Sequence, residues 1–235
     1  QKYPSEKLSE LENLLDPDTL TIGFARRFAT YKRGNLIFRD IERLKKIMNM
    51  EDRNIQFIFS GKAHPKDEGG KNLISEIVGY TQDPAFHNRI IFLENYDMNV
   101  AKQLVSGCDL WLNNPRRPLE ASGTSGMKVV ANLGINFSIL DGWWLVGYTP
   151  KCGWKINSPE NSDNLSEQDV DTFEANSMYD TLENEIIPLF YQRDSNGIPL
   201  EWIKKIKSSV STLAPYFNTE RMVKEYNEMF YMNVK

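Results

Sequence analysis

The chain has 235 residues, 40% of them hydrophobic, with 28 basic and 32 acidic side chains and a formal net charge of -4. That is enough for one sizeable domain or two small ones with a substantial core, and the balanced charge, with no long basic run, provides no electrostatic footprint for nucleic acid. Two cysteines, Cys108 and Cys152, and two histidines, His64 and His87, with no cysteine cluster near either histidine, argue against a zinc site or a disulfide framework.

The amino end is polar rather than a signal peptide, and no stretch reaches the length of a membrane span. A soluble, cytoplasmic protein without a membrane partner is expected, and buried free thiols agree with a reducing compartment. Residues 1–17 read as a polar, loop-like leading segment. Because Gln1 is not an initiator methionine, the chain is expected to be processed or cut from something longer.

In chain order, residues 20–24 are predicted as a strand. Residues 35–48 follow as a helix with Leu36, Ile37, Ile41, Leu44 and Ile47 near one face. Next come a strand at 55–59, a helix at 70–79, a strand at 89–93, a helix at 99–105 and a strand at 108–112. A helix at 124–133 and a last strand at 135–140 complete the alternation. Residues 157–177, rich in Ser, Asn, Asp and Glu, read as a mobile acidic surface loop. Three helices are then expected in the carboxyl-terminal part, 178–235, at 178–192, 200–213 and 219–231. The near-continuously apolar strands predict an α/β fold, a Rossmann-like parallel sheet with helices on both faces. Ligands of such sheets bind beyond the carboxyl ends of the strands, where the polar motifs of this sequence fall.

The densest motif is Glu120-Ala121-Ser122-Gly123-Thr124-Ser125-Gly126-Met127-Lys128. Small residues let a ligand approach the backbone, and the first amides of a helix lack intrahelical acceptors and attract anions. With Thr124 at a helix start, Lys128 lies four residues on along the same face. A molecule joined to the lysine amine would then rest its phosphate on those amides. The nucleotide cradle G-x-x-x-x-G-K-[ST] does not match, because Met127 separates glycine from lysine and no hydroxyl follows. The plain alternative is an ordinary glycine-rich turn with a solvated lysine.

Three separated motifs together resemble the α-glucan phosphorylases, in particular the shorter bacterial and archaeal type. They are Gly23-Phe24-Ala25-Arg26-Arg27-Phe28-Ala29-Thr30-Tyr31-Lys32-Arg33, the run from Asn113-Asn114-Pro115 through Glu120 to Lys128, and Leu140-Asp141-Gly142-Trp143-Trp144. The resemblance implies the carboxyl-terminal, cofactor-binding half of a two-Rossmann-domain (GT-B type) glycosyltransferase, whose amino-terminal domain would be a partner missing from this chain. It also implies pyridoxal 5'-phosphate as a Schiff base on Lys128, with Gly123, Thr124, Ser125, Tyr96 and Arg26 around it. The reaction implied is reversible phosphorolysis of an α-1,4-glucan, in which inorganic phosphate yields glucose 1-phosphate. By the same resemblance Arg27 and Lys32 hold the substrate phosphate, and Glu120, Ser122 and Gly123 the sugar.

A fork-shaped guanidinium and a compact ammonium suit two neighbouring phosphates that repel one another. Two other readings stay open: a retaining nucleotide-sugar glycosyltransferase of the glycogen or starch synthase kind, using the same cations without pyridoxal phosphate, and a non-catalytic cofactor- or carbohydrate-binding module. The isolated chain is expected to be inactive, a homo-oligomer is allowed, and no metal is expected. Asp141 and the Trp143-Trp144 pair are assigned to shaping and packing.

Overall fold

A computed structural model describes residues 14–86 and 88–232. Its strands are β1 Leu20–Phe28, β2 Ile55–Ala63, β3 Ile90–Leu93, β4 Leu110–Asn113, β5 Ile135–Ile139 and β6 Gly153–Ile156. They form one sheet in the order β3-β2-β1-β4-β5-β6 with each neighbouring pair parallel. The helices of eight residues or more are α1 Ile41–Met48, α2 Glu68–Thr81, α3 Met98–Gly107, α4 Thr124–Ala131, α5 Glu167–Thr181, α6 Leu200–Leu213 and α7 Thr219–Tyr226.

Parallel neighbours require a crossover after each strand, and the crossovers cover both faces. On one face Leu44 and Ile47 of α1, Ile77 of α2 and Met178 and Tyr179 of α5 pack on Ile22, Phe24, Phe57, Phe59, Leu112 and Phe137. On the other, Leu104 and Val105 of α3 and Val129 of α4 pack on Ala25, Ile58 and Trp111. A third cluster joins Val130 of α4 and Leu213 of α6 through Trp143, Trp144 and Cys152. The Rossmann-like expectation therefore holds, and the tryptophan pair is packing, as expected. The strand order reverses between β1 and β4, the place where sheets of this kind open a crevice.

Element bounds differ from the sequence reading where charge interrupts an apolar run. The first strand continues past Phe24, so Arg26 and Arg27 lie in β1, paired with Gly61 and Lys62 of an equally lengthened β2. Of the four cations in this motif, only Lys32 and Arg33 follow the strand. Close pairing here needs a glycine, since a Cβ on Gly61 would stand 2.1 Å from the Arg26 carbonyl oxygen. The predicted helix 35–48 is a short 3-10 turn, Leu36–Phe38, followed by α1, whose start is fixed by the Asp40 carboxylate accepting from the Arg43 amide. Strand β6 was not expected at all. It is four residues long and gains its place by pairing with β5, with Trp154 and Ile156 buried.

The largest correction concerns residues 157–177. Residues 157–166 are irregular apart from a 3-10 turn at Ser162–Asn164, but from Glu167 on the segment is helix: Ser166 caps α5 by accepting from the Asp169 amide. The helix buries Val170, Glu174, Ala175, Met178 and Tyr179, so its packed face carries a carboxylate where periodicity looks for an apolar residue. It runs on through a wider turn at Leu182–Ile186 into Ile187–Tyr191. Pro188 lacks the amide that a regular turn would use there. The terminal helix is α7, capped by Asn218, and continues as a wider turn over Asn227–Tyr231. His64 is exposed, as expected. Most of the leading segment 1–17 and His87 lie outside the described residues.

Candidate active site

At the β1/β4 switch point, the end of β1, the loop after it and the loop after β4 bring three charges together. Arg26 donates through Nη1 to the Asn113 side-chain oxygen and through Nη2 to the Glu120 carboxylate. Lys32 Nζ lies 3.7 Å from the same carboxylate and 5.1 Å from the centre of the Tyr31 ring. The side chains of Arg26, Lys32 and Glu120 are 9%, 12% and 8% exposed, so these charges are only weakly screened by solvent ions. Two cations share one carboxylate, which leaves an excess of positive charge facing the crevice. The Arg26 Nε is buried without an acceptor among the described residues, a spare donor in that cluster.

Glu120 is held by its backbone as well. Its amide donates to Asp141 Oδ2 at 2.9 Å, and the Trp143 amide donates to the Ser122 carbonyl at 2.8 Å, which ties the loop after β4 to the loop after β5. Asn113 is locked in turn by donating to Ser138 Oγ at 3.1 Å. The loop after β3 contributes Tyr96, half-buried against the Ala25–Trp111 cluster. Burial pushes its phenol above the ordinary value, with the Arg26 charge pulling the other way, so Tyr96 remains a neutral hydrogen-bonding group beside Arg26. After β2 the turn at His64 makes local bonds and takes no part.

Arg27 does not join the cluster. Neighbours on a strand project to opposite sides, and Arg27 is exposed without a partner among the described residues.

The glycine-hydroxyl run forms the predicted helix start. Gly123 precedes α4 with φ +84°, a left-handed conformation that a side chain would strain, and Thr124 and Ser125 open the helix with amides that have no intrahelical acceptor. Ser125 Oγ accepts from Trp111 Nε1 at 3.3 Å. Thr124 and Lys128 line one cleft, together with Ser122, Tyr216 and Phe217 before α7, and Met222 and Tyr226 on α7; its volume is about 750 Å³. Lys128 is exposed there, and its amine has no hydrogen bond or ion pair among the described residues. Arg26, Lys32 and Glu120 do not line this cleft. The site is thus two adjoining compartments, a buried charge cluster and an open, largely apolar cleft, with the Gly123 turn between them.

The sequence motifs contain Asn113 and Asp141 but carry no sign of their contacts, nor of the ion pairs of Arg33 and Arg116 with α5. The only signal for the latter was Asp171 and Glu174, three apart on what proved to be a helix. Cys108 and Cys152 are free and buried. Burial, with Asp109 adding to it, pushes the Cys108 thiol up to about 12, so it packs rather than reacts. Among the described residues no group of His, Cys, Asp and Glu has the makings of a metal site, and no helix is long and apolar enough to cross a membrane.

A family model described as carbohydrate phosphorylase matches residues 8–145. The glycogen phosphorylase of Aquifex aeolicus is 49% identical over 220 residues, 94% of this chain and 31% of the relative. The maltodextrin phosphorylase of Thermococcus litoralis is 50% identical over 232 residues, 98% of this chain and 27% of the relative. The glycogen phosphorylase of Mycobacterium tuberculosis is 46% identical over 225 residues, 96% of this chain and 26% of the relative. The chain therefore spans less than a third of the length of these relatives. With the family model covering both the β1 cations and the run from Glu120 to Lys128, the chain belongs to the carbohydrate phosphorylase family.

Proposed function

We propose that this chain is the carboxyl-terminal, cofactor-binding part of an α-glucan phosphorylase with the two-Rossmann-domain GT-B architecture. The parent protein would carry out reversible phosphorolysis of α-1,4-glucans, using inorganic phosphate and yielding α-glucose 1-phosphate. The observation that carries this reading is the pairing of an excess-positive cluster, Arg26, Lys32 and Glu120, with a helix start whose exposed lysine faces an open cleft.

The residues fit pyridoxal 5'-phosphate. Lys128 offers an accessible amine, the Thr124 and Ser125 amides offer phosphate donors at the positive end of a helix, and the buried Arg26 Nε offers one more. Gly123 keeps the approach to those amides free of a side chain. When bound, the cofactor supplies a second phosphate beside the substrate phosphate.

The protein's own part in the reaction is electrostatic. Lys32, with Arg27 turning inward from its exposed position, holds the substrate phosphate, and the surplus positive charge offsets repulsion between neighbouring anions. Glu120, fixed by Asp141 from behind, faces the sugar hydroxyls with Ser122 and Gly123. Tyr96 borders the cofactor as a neutral donor.

Absorption spectra before and after borohydride, followed by peptide mapping, test the cofactor: a reduced adduct on the Lys128 peptide is expected, and an unmodified Lys128 sinks that assignment. Turnover tests the reaction. Release of glucose 1-phosphate from maltooligosaccharide and phosphate by the full-length protein is expected, whereas consumption of a sugar nucleotide without cofactor absorbance favours a synthase. The isolated chain is expected to be silent or nearly so, and parent-like phosphorolysis by it alone refutes that part.

A further inference from the structure

The loop that carries Lys32 and the run that leads to Glu120 are clasped by a buried ionic cage. Arg33 is 3% exposed and sits in the left-handed region at φ 46°, which turns its side chain away from Lys32. Its Nε donates to the Asn114 carbonyl at 3.1 Å and its Nη2 to the Pro115 carbonyl at 2.9 Å. The Asn114 side chain returns a bond to the Arg33 carbonyl at 2.8 Å, and the Arg116 amide donates to the Tyr31 carbonyl at 2.7 Å.

Helix α5 closes the cage. Asp171 Oδ1 accepts from Arg33 Nη1 at 2.6 Å, and Glu174 Oε2 lies 2.6 Å from Arg33 Nη2 as a charge contact without hydrogen-bond geometry, while Arg116 pairs with Asp171 at 2.8 Å. Ser158 donates to the other Glu174 oxygen at 2.5 Å. Two guanidinium groups meet three carboxylates, counting the exposed Glu167 at 3.5 Å from Arg116, so the cage has no surplus positive charge with which to attract an anion. Arg33 is therefore spent on its own protein. What it controls is distance, because Lys32 is its immediate neighbour and Glu120 stands five residues beyond Pro115.

We propose that Arg33, braced by Asp171 and Glu174, is a positioning residue that sets the separation of Lys32 and Glu120. This rests on the functional reading above, in which those two groups address phosphate and sugar. A planar fork is needed to donate to two carbonyls and a carboxylate at once while its charge faces a second carboxylate, and a lysine cannot supply it.

The test uses the full-length protein with Arg33→Lys and with the charge-balanced pair R33M/E174L, since replacing both partners of a buried ion pair by apolar groups commonly preserves stability. Steady-state kinetics and hydrogen exchange are measured beside the thermal midpoint. With the midpoint nearly unchanged, R33M/E174L is expected to raise KM for phosphate about tenfold and lower kcat/KM by roughly 10²-fold, the scale of a misplacement of about 1 Å. R33K should fail to rescue. Amides of residues 30–33 and 114–120 should exchange faster while those of the sheet do not.

Unchanged KM and kcat per folded molecule, or full rescue by R33K, overturns the proposal. So does unchanged exchange in the two loops, a readout independent of turnover. Absence of phosphorolysis in the unsubstituted protein counts instead against the functional reading, and the exchange result still decides whether the cage holds the loops.

Discussion

The charge cluster at the β1/β4 switch point and the cleft beside Lys128 adjoin, yet they are built in opposite ways. In the cluster, Arg26 has partners on β4 and in the loop after it, the neighbouring Arg33 is paired with α5, and backbone atoms of Glu120 and Ser122 are tied to the loop after β5. At the cleft, the amine of Lys128 is exposed, and α7 with its continuation leaves Met222, Val223, Tyr226, Met229 and Phe230 between 44% and 60% exposed. The difference teaches that the charge cluster draws its contacts from within these residues, whereas the cleft is a surface still able to accept other groups.

The largest expected effect lies in the cleft. Lys128→Ala in the full-length protein should abolish the borohydride-fixed adduct and cut phosphorolysis by roughly 10³-fold, the scale of losing an acid-base group. An adduct that survives the substitution removes Lys128 from the chemistry.

Next comes the cluster's brace. Glu174→Ala leaves a buried guanidinium with only Asp171 to answer it, and denaturant unfolding should report a loss of about 3 kcal/mol. A loss under about 1 kcal/mol would mean that solvent reaches Arg33 and that the two regions differ less than their burial suggests.

Glu120→Gln sharpens the contrast further, because it removes the one carboxylate between Arg26 and Lys32. Phosphate should bind more tightly while turnover falls by about 10²-fold, the scale of one lost transition-state contact; parallel weakening of both would show the carboxylate serving only to hold the cations in place. Gly123→Ala, at the boundary of the two compartments, should cost about 1–2 kcal/mol for a left-handed alanine, measured by thermal unfolding. The smallest effect is expected at the open side. Phe230→Ser should change the stability of the isolated chain by less than about 0.5 kcal/mol and reduce its self-association in sedimentation, since large exposed apolar surfaces favour association.

The sheet was legible because its strands are buried on both faces and read as apolar runs. Legibility failed where charge occupies a structured position. Arg26 and Arg27 end an apolar pattern but not a strand, since the pairing that continues β1 belongs to β2, which a local window does not see. Glu174 hid α5 for the same reason: the partner that makes a carboxylate acceptable inside, Arg33, is far away in sequence. Periodicity registers hydrophobicity at a position and is blind to a charge neutralised from elsewhere.

In the site, the spacing of Thr124 and Lys128 puts both on one face of α4, and both line the same cleft. The arrangement of the three cluster charges was not accessible from spacing, because a side-chain fork such as that of Arg26 chooses among several acceptors only once the strands are side by side. Arg27 carried the same motif weight as Lys32 yet stands apart from it, a distinction set by strand alternation.

Arg26 and Glu120 meet across 94 residues of sequence, and Arg33 reaches Asp171 across 138. Closing loops of that size costs chain entropy before any contact repays it, and α5 is the last piece needed. During synthesis, Arg33 therefore waits for more than half of the chain to emerge before its cage can form. Truncation between β6 and α5 would leave the whole sheet with Arg33 uncompensated in the loop after β1, so proteolytic trimming that removes α5 should disable the charge cluster without touching any residue in it.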